Sequence, residues 1–382
     1  MLDTPTSSAA SAPKGARRLL VNHDKPGIYE VKKGVFLEIL ESKGEQKNTH
    51  FKGSLPHSNG IEESFPTGPI FCIFSEDSHV DIKSGITFIK RRFIRESVVA
   101  NPLVGRYPPR SQDDFANAQK FPSHRVVLPL ATQRIGNYCR WWLDSVSKIF
   151  IAGQSDALRS NLRSRTLDIM IPPLPTSYQQ QTEKLFQSHA PFHVFEGDGL
   201  VRAPSVTTSG LTYGGGQRIG ALVKDYVKFL DHMIPRQAVP ARERKGELLY
   251  LSRNEAGMRK VLNEDEILPG LKDMGFRVMR ASKMSLVEQI EAFRQARVVL
   301  SAHGAGLTNI LFCRPGTTLI EIFPEGGVHG SAFTRLSSHL DFDYYYATGA
   351  RVENRHSEKN KINADIVIDK ASFIPFVREI VA

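Results

Sequence analysis

The sequence predicts a two-domain α/β protein built on parallel sheets, and three observations carry that reading. From Arg125 to the C terminus, short apolar runs alternate with longer amphipathic ones, the pattern of buried strands joined by crossover helices. One stretch, Arg297 to Pro324, reads in full as strand, glycine-rich turn, helix, strand. A polar segment with two prolines, Ile234 to Gly246, divides the chain between two such series, as an inter-domain linker does. A length of 382 residues suits two domains. The expected boundaries are a disordered tail over 1–16, a first domain over 17–233, a linker over 234–247 and a second domain over 248–382. The last helix is a candidate to pack back on the first domain.

Taken in order, the first 16 residues are rich in Ser, Ala, Thr and Pro and lack the apolar core of a signal peptide. Val35 to Leu40, Ile70 to Phe74 and Ile86 to Ile94 are strand candidates, punctuated by Gly, Pro and Asn, with no fold that can be named from them. Asn101 to Phe121 reads as a loop with a short helix. Arg125 to Leu130 is a buried strand, and a turn over 133–137 leads into a helix from Tyr138 to Phe150, with Asp144 in its second turn. A strand over 167–171, a helix over 177–189, strands over 192–195 and 200–208, and a helix over 217–232 complete the first series.

The second series opens with a strand over 248–252. Asn263 is expected to cap a helix that ends at Gly275. A strand over 276–279 follows, and Ser285 to Glu288 is a capping box for a helix to Ala296. The central unit comes next: a strand over 298–302, the turn His303-Gly304-Ala305-Gly306, an apolar helix over 307–313, and a strand over 317–323. A helix over 331–339, a strand over 342–347, a charged loop over 351–361, an alternating edge strand over 362–368 and a helix over 372–381 end the chain.

Composition narrows the function. The formal charge is +10, spread over scattered basic residues. That surface attracts anions, including an anionic membrane face, but no nucleic-acid-binding motif accompanies it. Three cysteines without regular spacing, Cys72, Cys139 and Cys313, read as reduced and buried in a cytosolic protein. No spacing of Cys, His or acidic residues matches a metal motif, and no apolar run reaches the ~18 residues of a membrane span.

The turn at 303–306 carries the chemistry. Two glycines let the backbone approach a ligand closely. The free N–H groups at the start of the following helix favour a phosphate. Glu321, expected at the end of the next strand, would accept hydrogen bonds from ribose hydroxyls. The unit therefore suggests a nucleotide, although Gly304-x-Gly306-x-x-Asn309 is an incomplete dinucleotide fingerprint.

A longer series of motifs is more specific. Tyr250-Leu-Ser-Arg253, Arg259, Asn263-Glu264, Gly275-Phe276, Ser285 with Glu288-Gln289, Ala302 to Asn309, Pro315-Gly316 and Glu321, with Gly136-Asn137-Tyr138, Trp141 and Asp144 upstream, resemble glycosyltransferase family 61 from about Arg125 to Pro324. The resemblance implies two doubly wound, Rossmann-like domains facing a cleft, the GT-B architecture. It implies an inverting, bacterial-type glycosyltransferase in cell-surface polysaccharide synthesis; the cysteines and the positive charge add the expectation of a cytoplasmic protein, a candidate for peripheral contact with the inner membrane face. Its partners would be a nucleotide sugar and a glycan acceptor, with no metal cofactor.

On that basis the donor site is expected at Arg253, Gly304, Ala305, Gly306, Leu307, Asn309 and Glu321, and the catalytic groups among Asp144, His303 and Arg140. Arg140 stands where the family has a histidine, which points either to another base or to an anionic sugar or acceptor. Asp144 equally suits an ion pair with Arg140 one turn before it. Two other readings stay open: a non-catalytic nucleotide- or glycan-binding protein, and an NAD(P)-dependent oxidoreductase.

Overall fold

The computed structural model of the chain describes residues 25–41, 44–47, 51–54, 64–67, 69–97, 110–162, 165–213, 218–219, 222–234, 246–327, 332–357 and 361–382. The expected tail over 1–16 and the core of the expected linker lie outside them. Among the described residues the chain is a mixed α/β protein with two large sheets.

The second sheet has the spatial order Phe276–Met279, Glu247–Leu251, Ala296–Ala302, Thr318–Pro324, Asp343–Val352, Asp365–Val367. The first five strands run parallel, and the last is an antiparallel edge. Alternate residues divide the sheet into two apolar faces. Leu248, Tyr250, Val298, Leu300, Ile320 and Ile322 pack under the helices Glu264–Asp273 and Lys370–Val381. Leu249, Leu251, Val299, Leu319 and Phe323 face the other way, with Ile290, Phe293, Leu307 and Leu336. Strands buried on both faces must be apolar throughout, which is why these runs were readable.

Several expectations need correction here. The terminal helix lies on the second sheet through Phe373 and Val377, not on the first half of the chain. The turn after His303 enters a 3-10 helix, Ala305–Phe312, not an α-helix. Asn263 does not cap its helix with its side chain; it accepts from Ile368 N at 2.9 Å and donates to Ile368 O at 2.8 Å. Gly275 does end that helix at φ 92°, and the Ser285–Glu288 capping box is complete.

The first sheet is mixed, so the expected pair of doubly wound parallel sheets does not hold for it. Leu200–Thr208, Arg125–Pro129, Thr166–Ile171 and Phe192–Val194 are parallel neighbours. On the far side of Leu200–Thr208, strands Ile70–Asp81, Val35–Glu41 and Gly27–Lys32 add in antiparallel fashion. Lys90 and Arg91, both at positive φ, form the turn of a hairpin between Thr87–Ile89 and Arg92–Phe93, where one long strand was expected. The helix expected over 217–232 begins only at Val223; Arg218–Ile219 is a short strand paired with Thr212–Tyr213.

The helix from Tyr138 to Gln154 carries a π-helical segment at Trp141–Val146. The widened turn puts two carbonyls to other use: Leu143 O accepts from Leu211 N at 2.7 Å and Trp142 O accepts from Tyr226 Oη at 2.8 Å. Such bulges recur at functional sites. This helix binds the second sheet's 3-10 segment directly. Trp142 meets Phe312 edge-on at 5.3 Å, a contact worth ~1 kcal/mol beyond area burial, and Tyr138 Oη donates to Asn309 Oδ1. One apolar cluster runs through both halves. The strand Phe51–Ser54 also crosses over, pairing in parallel with Asp343–Val352.

Candidate functional site

Apart from the added strand Phe51–Ser54, the chain enters the second sheet at Glu247–Leu251, steps outward to Phe276–Met279, then returns to the other side at Ala296–Ala302. The order is that of a doubly wound sheet whose direction of winding reverses between its first and third strands. Ligands of such sheets bind outside the carboxyl ends of the strands at that reversal. Arg253 stands two residues beyond Leu251 and Gly304 two residues beyond Ala302, so both flank it.

The two touch. A Cβ on Gly304 would lie 1.8 Å from Arg253 Nη1 and 2.4 Å from its Cζ. Gly304 has φ 172°, extended backbone that any residue adopts, so glycine is needed there for space rather than for conformation. Gly306 is less demanding, with Leu251 Cδ2 at 3.1 Å from a built Cβ. The 3-10 helix opens at Ala305; its first internal bond is Leu307 N to Gly304 O at 3.0 Å, which leaves the N–H groups of Ala305 and Gly306 without an intrahelical acceptor.

Arg253 is half-buried. Its Nη2 donates to Met258 O at 3.2 Å, and its Nε is buried without a partner. Burial, with the positive charge of Arg259 behind it, pushes its pKa down to about 10. Arg259 is likewise half-buried with a partnerless Nε, and donates from Nη1 to Asn363 Oδ1 at 3.1 Å. Burial lowers its pKa too, with Glu321 opposing the shift. Among the described residues, no carboxylate forms an ion pair with either guanidinium. Two partly desolvated cations, with Glu321 near Arg259 but no carboxylate in direct contact with either, are unfavourable and make a ready seat for an anion.

His303 follows the strand and is fixed on three sides. Its Nδ1 lies 2.5 Å from Glu321 Oε1, and Tyr344 Oη donates to Glu321 Oε2 at 2.7 Å. The ring stacks on Phe323 at 5.3 Å and tilts against Phe333 at 5.6 Å. A carboxylate only accepts, so Nδ1 carries the hydrogen, and in the neutral ring Nε2 presents a lone pair on the opposite edge.

The remaining expected residues are distributed differently. Glu321 is not at a strand end: it lies mid-strand, 0% exposed, beneath His303, so it orients the imidazole instead of standing open to a ribose. Asn309 is wholly buried between Tyr138 and Gln289, and Leu307 is buried in the core; both pack the turn. Asp144 is also 0% exposed. It receives Arg140 Nη1 at 3.3 Å and the Thr212 hydroxyl, and Arg140 Nη1 donates to Thr212 Oγ1 at 2.9 Å. Burial raises its pKa against these partners. Gly210 packs so tightly here that a Cβ would sit 2.6 Å from Asp144 Cα. Asp144 is thus closed off from solvent, while its partner Arg140 stays partly exposed. Cys72 and Cys313 are buried and Cys139 half-buried, all as free thiols.

Sequence reasoning placed Arg259 among the family motifs but gave it no role, and it missed Tyr344. Arg259 lies six positions after Arg253, a spacing without periodic meaning. Tyr344 reaches Glu321 only because the Asp343 strand pairs beside Thr318–Pro324.

Fold and site together define an α/β protein whose second, doubly wound sheet brings two arginines and a glycine turn to its point of reversal. Residues 121–320 match the family described as Glycosyltransferase 61, and the chain belongs to that family. It is similar over 82 residues (37% identical) to a beta-1,2-xylosyltransferase of Oryza sativa subsp. japonica, 21% of this chain and 14% of that protein. It is similar over 88 residues (35% identical) to an alpha-1,3-arabinosyltransferase of the same plant, 22% and 15% of the two chains. An EGF domain-specific O-linked N-acetylglucosamine transferase of Drosophila melanogaster shares 31% identity over 100 residues, 25% of this chain and 19% of that one. The matched stretches thus span less than a fifth of each of these relatives. No helix among the described residues is long and apolar enough to cross a membrane.

Proposed function

We propose that this protein is an inverting glycosyltransferase that moves a sugar from a nucleotide-diphosphate donor to a hydroxyl of a glycan acceptor. The carrying observation is the Arg253 guanidinium, half-buried, unpaired by any carboxylate and seated in the space left by Gly304. In this reading the donor's diphosphate lies over Gly304 to Gly306, held by Arg253 and the N–H groups of Ala305 and Gly306. The acceptor oxygen attacks the anomeric carbon as the bond from that carbon to the phosphate oxygen breaks. His303 Nε2 takes the hydroxyl proton, and the diphosphate leaves with its added negative charge against the arginine and amides.

Two features support His303 over Asp144 as the base. Its imidazole has one edge fixed by Glu321 and the other turned away, whereas Asp144 is sealed by Arg140 and Thr212. The acceptor would approach from the first half of the chain, whose Tyr138 already borders the turn through Asn309, in the manner of the GT-B architecture. The family and its xylosyl-, arabinosyl- and N-acetylglucosaminyl-transferring relatives support the reaction class. The +10 charge suits work at an anionic membrane surface on polysaccharide.

The test is a panel of nucleotide sugars incubated with the full chain, with release of nucleotide diphosphate as readout. Slow hydrolysis of one donor, reduced at least tenfold by Arg253→Ala, is the expected result. Tight donor binding without turnover under any acceptor would leave a binding protein in its place.

A further inference from the structure

Arg259 occupies the left-handed region at φ 58°, a conformation that a non-glycine residue keeps only where surrounding contacts impose it. A later segment of the chain supplies contacts that impose it here. Lys260 N donates to Asp365 Oδ1, Leu262 N to Ile366 O and Ile366 N to Lys260 O, each at 2.8 Å. Arg259 Nη1 itself donates to Asn363 Oδ1. The segment 361–368 therefore clamps 259–262 from behind. The clamp holds a guanidinium whose Nε is buried without a partner, and the guanidinium of Arg253, whose Nε is also partnerless, reaches the adjoining residue at Met258 O. Neither arrangement stabilises the empty protein. Positive φ costs stability, and so does the approach of two poorly solvated cations.

We infer that Arg259 is a second cationic arm of the crevice, held in a strained backbone so that it and Arg253 bracket the two phosphates of a diphosphate ligand. A planar guanidinium on each side meets phosphate oxygens in pairs, and the strain is retained because the bound dianion offsets it. The inference rests on the reading of this crevice as the donor's phosphate site. It adds a second residue, Arg259, for the half of the diphosphate that Arg253 does not hold.

Arg259→Gly in the full chain provides the test, because glycine accepts this backbone freely. Inorganic pyrophosphate and UDP are titrated by calorimetry, and Tm is measured without ligand. The expected signature has two parts of opposite sign: affinity for both ligands falls by about 10- to 100-fold, while Tm stays level or rises. Arg259→Asn, also tolerant of positive φ, should behave the same way. A lower Tm in both variants, or pyrophosphate affinity within about twofold of wild type, overturns the inference. UDP binding that depends on Arg253 but not on Arg259 overturns it while the donor site stands. Pyrophosphate binding that depends on Arg259, without any nucleotide diphosphate binding, supports the arm and removes the donor reading. A wild-type chain that binds neither ligand removes both.

Discussion

Gly304→Ala isolates the phosphate site more cleanly than removal of any charge. The new Cβ would lie 1.8 Å from Arg253 Nη1, against the ~3.5 Å at which non-bonded heavy atoms sit comfortably. The guanidinium must therefore retreat by about 1.7 Å, which carries a hydrogen bond to a phosphate oxygen beyond its useful range. The backbone at φ 172° accepts alanine without strain, and the clash falls on the end of a flexible side chain, so the fold should survive. Loss of a charge-assisted bond is worth roughly 1.5–3 kcal/mol, or about 10- to 150-fold in affinity. UDP titration by calorimetry should show that loss with Tm nearly unchanged. Arg253→Ala should cost a similar factor, and the double variant little more than either one, since both remove the same contact. Undiminished affinity in Gly304→Ala, or full additivity in the double variant, would refute the geometry. Gly306→Ala, with 3.1 Å to Leu251 Cδ2, should lose much less.

Three further outcomes follow from the same contacts. Glu321→Gln keeps the shape under His303 but removes the negative charge and leaves one acceptor oxygen for the two donors, His303 Nδ1 and Tyr344 Oη; donor turnover should fall by about 10²-fold or more with KM and Tm little changed, and unchanged kcat would make the pair merely structural. Arg140→Ala leaves Asp144 buried without its cation, so stability should drop by about 3–5 kcal/mol in urea melts while UDP affinity holds; the reverse pattern would return Arg140 to the substrate site. Lys148 is buried with its Nζ on Pro129 O and Ala131 O, and burial, opposed by Asp144, pushes its pKa from 10.5 down to about 8. Between those values the unfolded chain holds a proton that the folded chain has released, so stability should rise with pH across that window by an amount of order 3 kcal/mol. Lys148→Met should flatten the rise, and an identical slope in the variant would refute the assignment.

What the sequence conveyed depended on how local the determining contacts are. The strands of the second sheet were legible because each is buried on both faces and so written as an uninterrupted apolar run, and the Ser285 box and Gly275 stop are chemistry within four residues. Arg253 and the glycine turn were legible for the same reason. The first sheet was not, because Ile70–Asp81 takes its antiparallel partner from Leu200–Thr208, and nothing in either segment names the other. Glu321 was misread as a strand-end acceptor because its partners, His303 and Tyr344, come from neighbouring strands. Asp144 was sealed by Thr212, 68 residues on. Arg259 carried no glycine or asparagine signal for its left-handed backbone; its strain is imposed by residues 363–366, a hundred positions later.

The four residues Phe51–Ser54 lie alongside Tyr344–Tyr346 as an added rail on the sheet that bears the crevice. A fragment started at residue 247 would carry every arginine and glycine of the site yet leave that flank of the Asp343 strand bare, open to pairing with other copies. Supplying the missing rail as a short peptide in trans, or grafting it ahead of residue 247, should turn a sticky fragment into a tractable one.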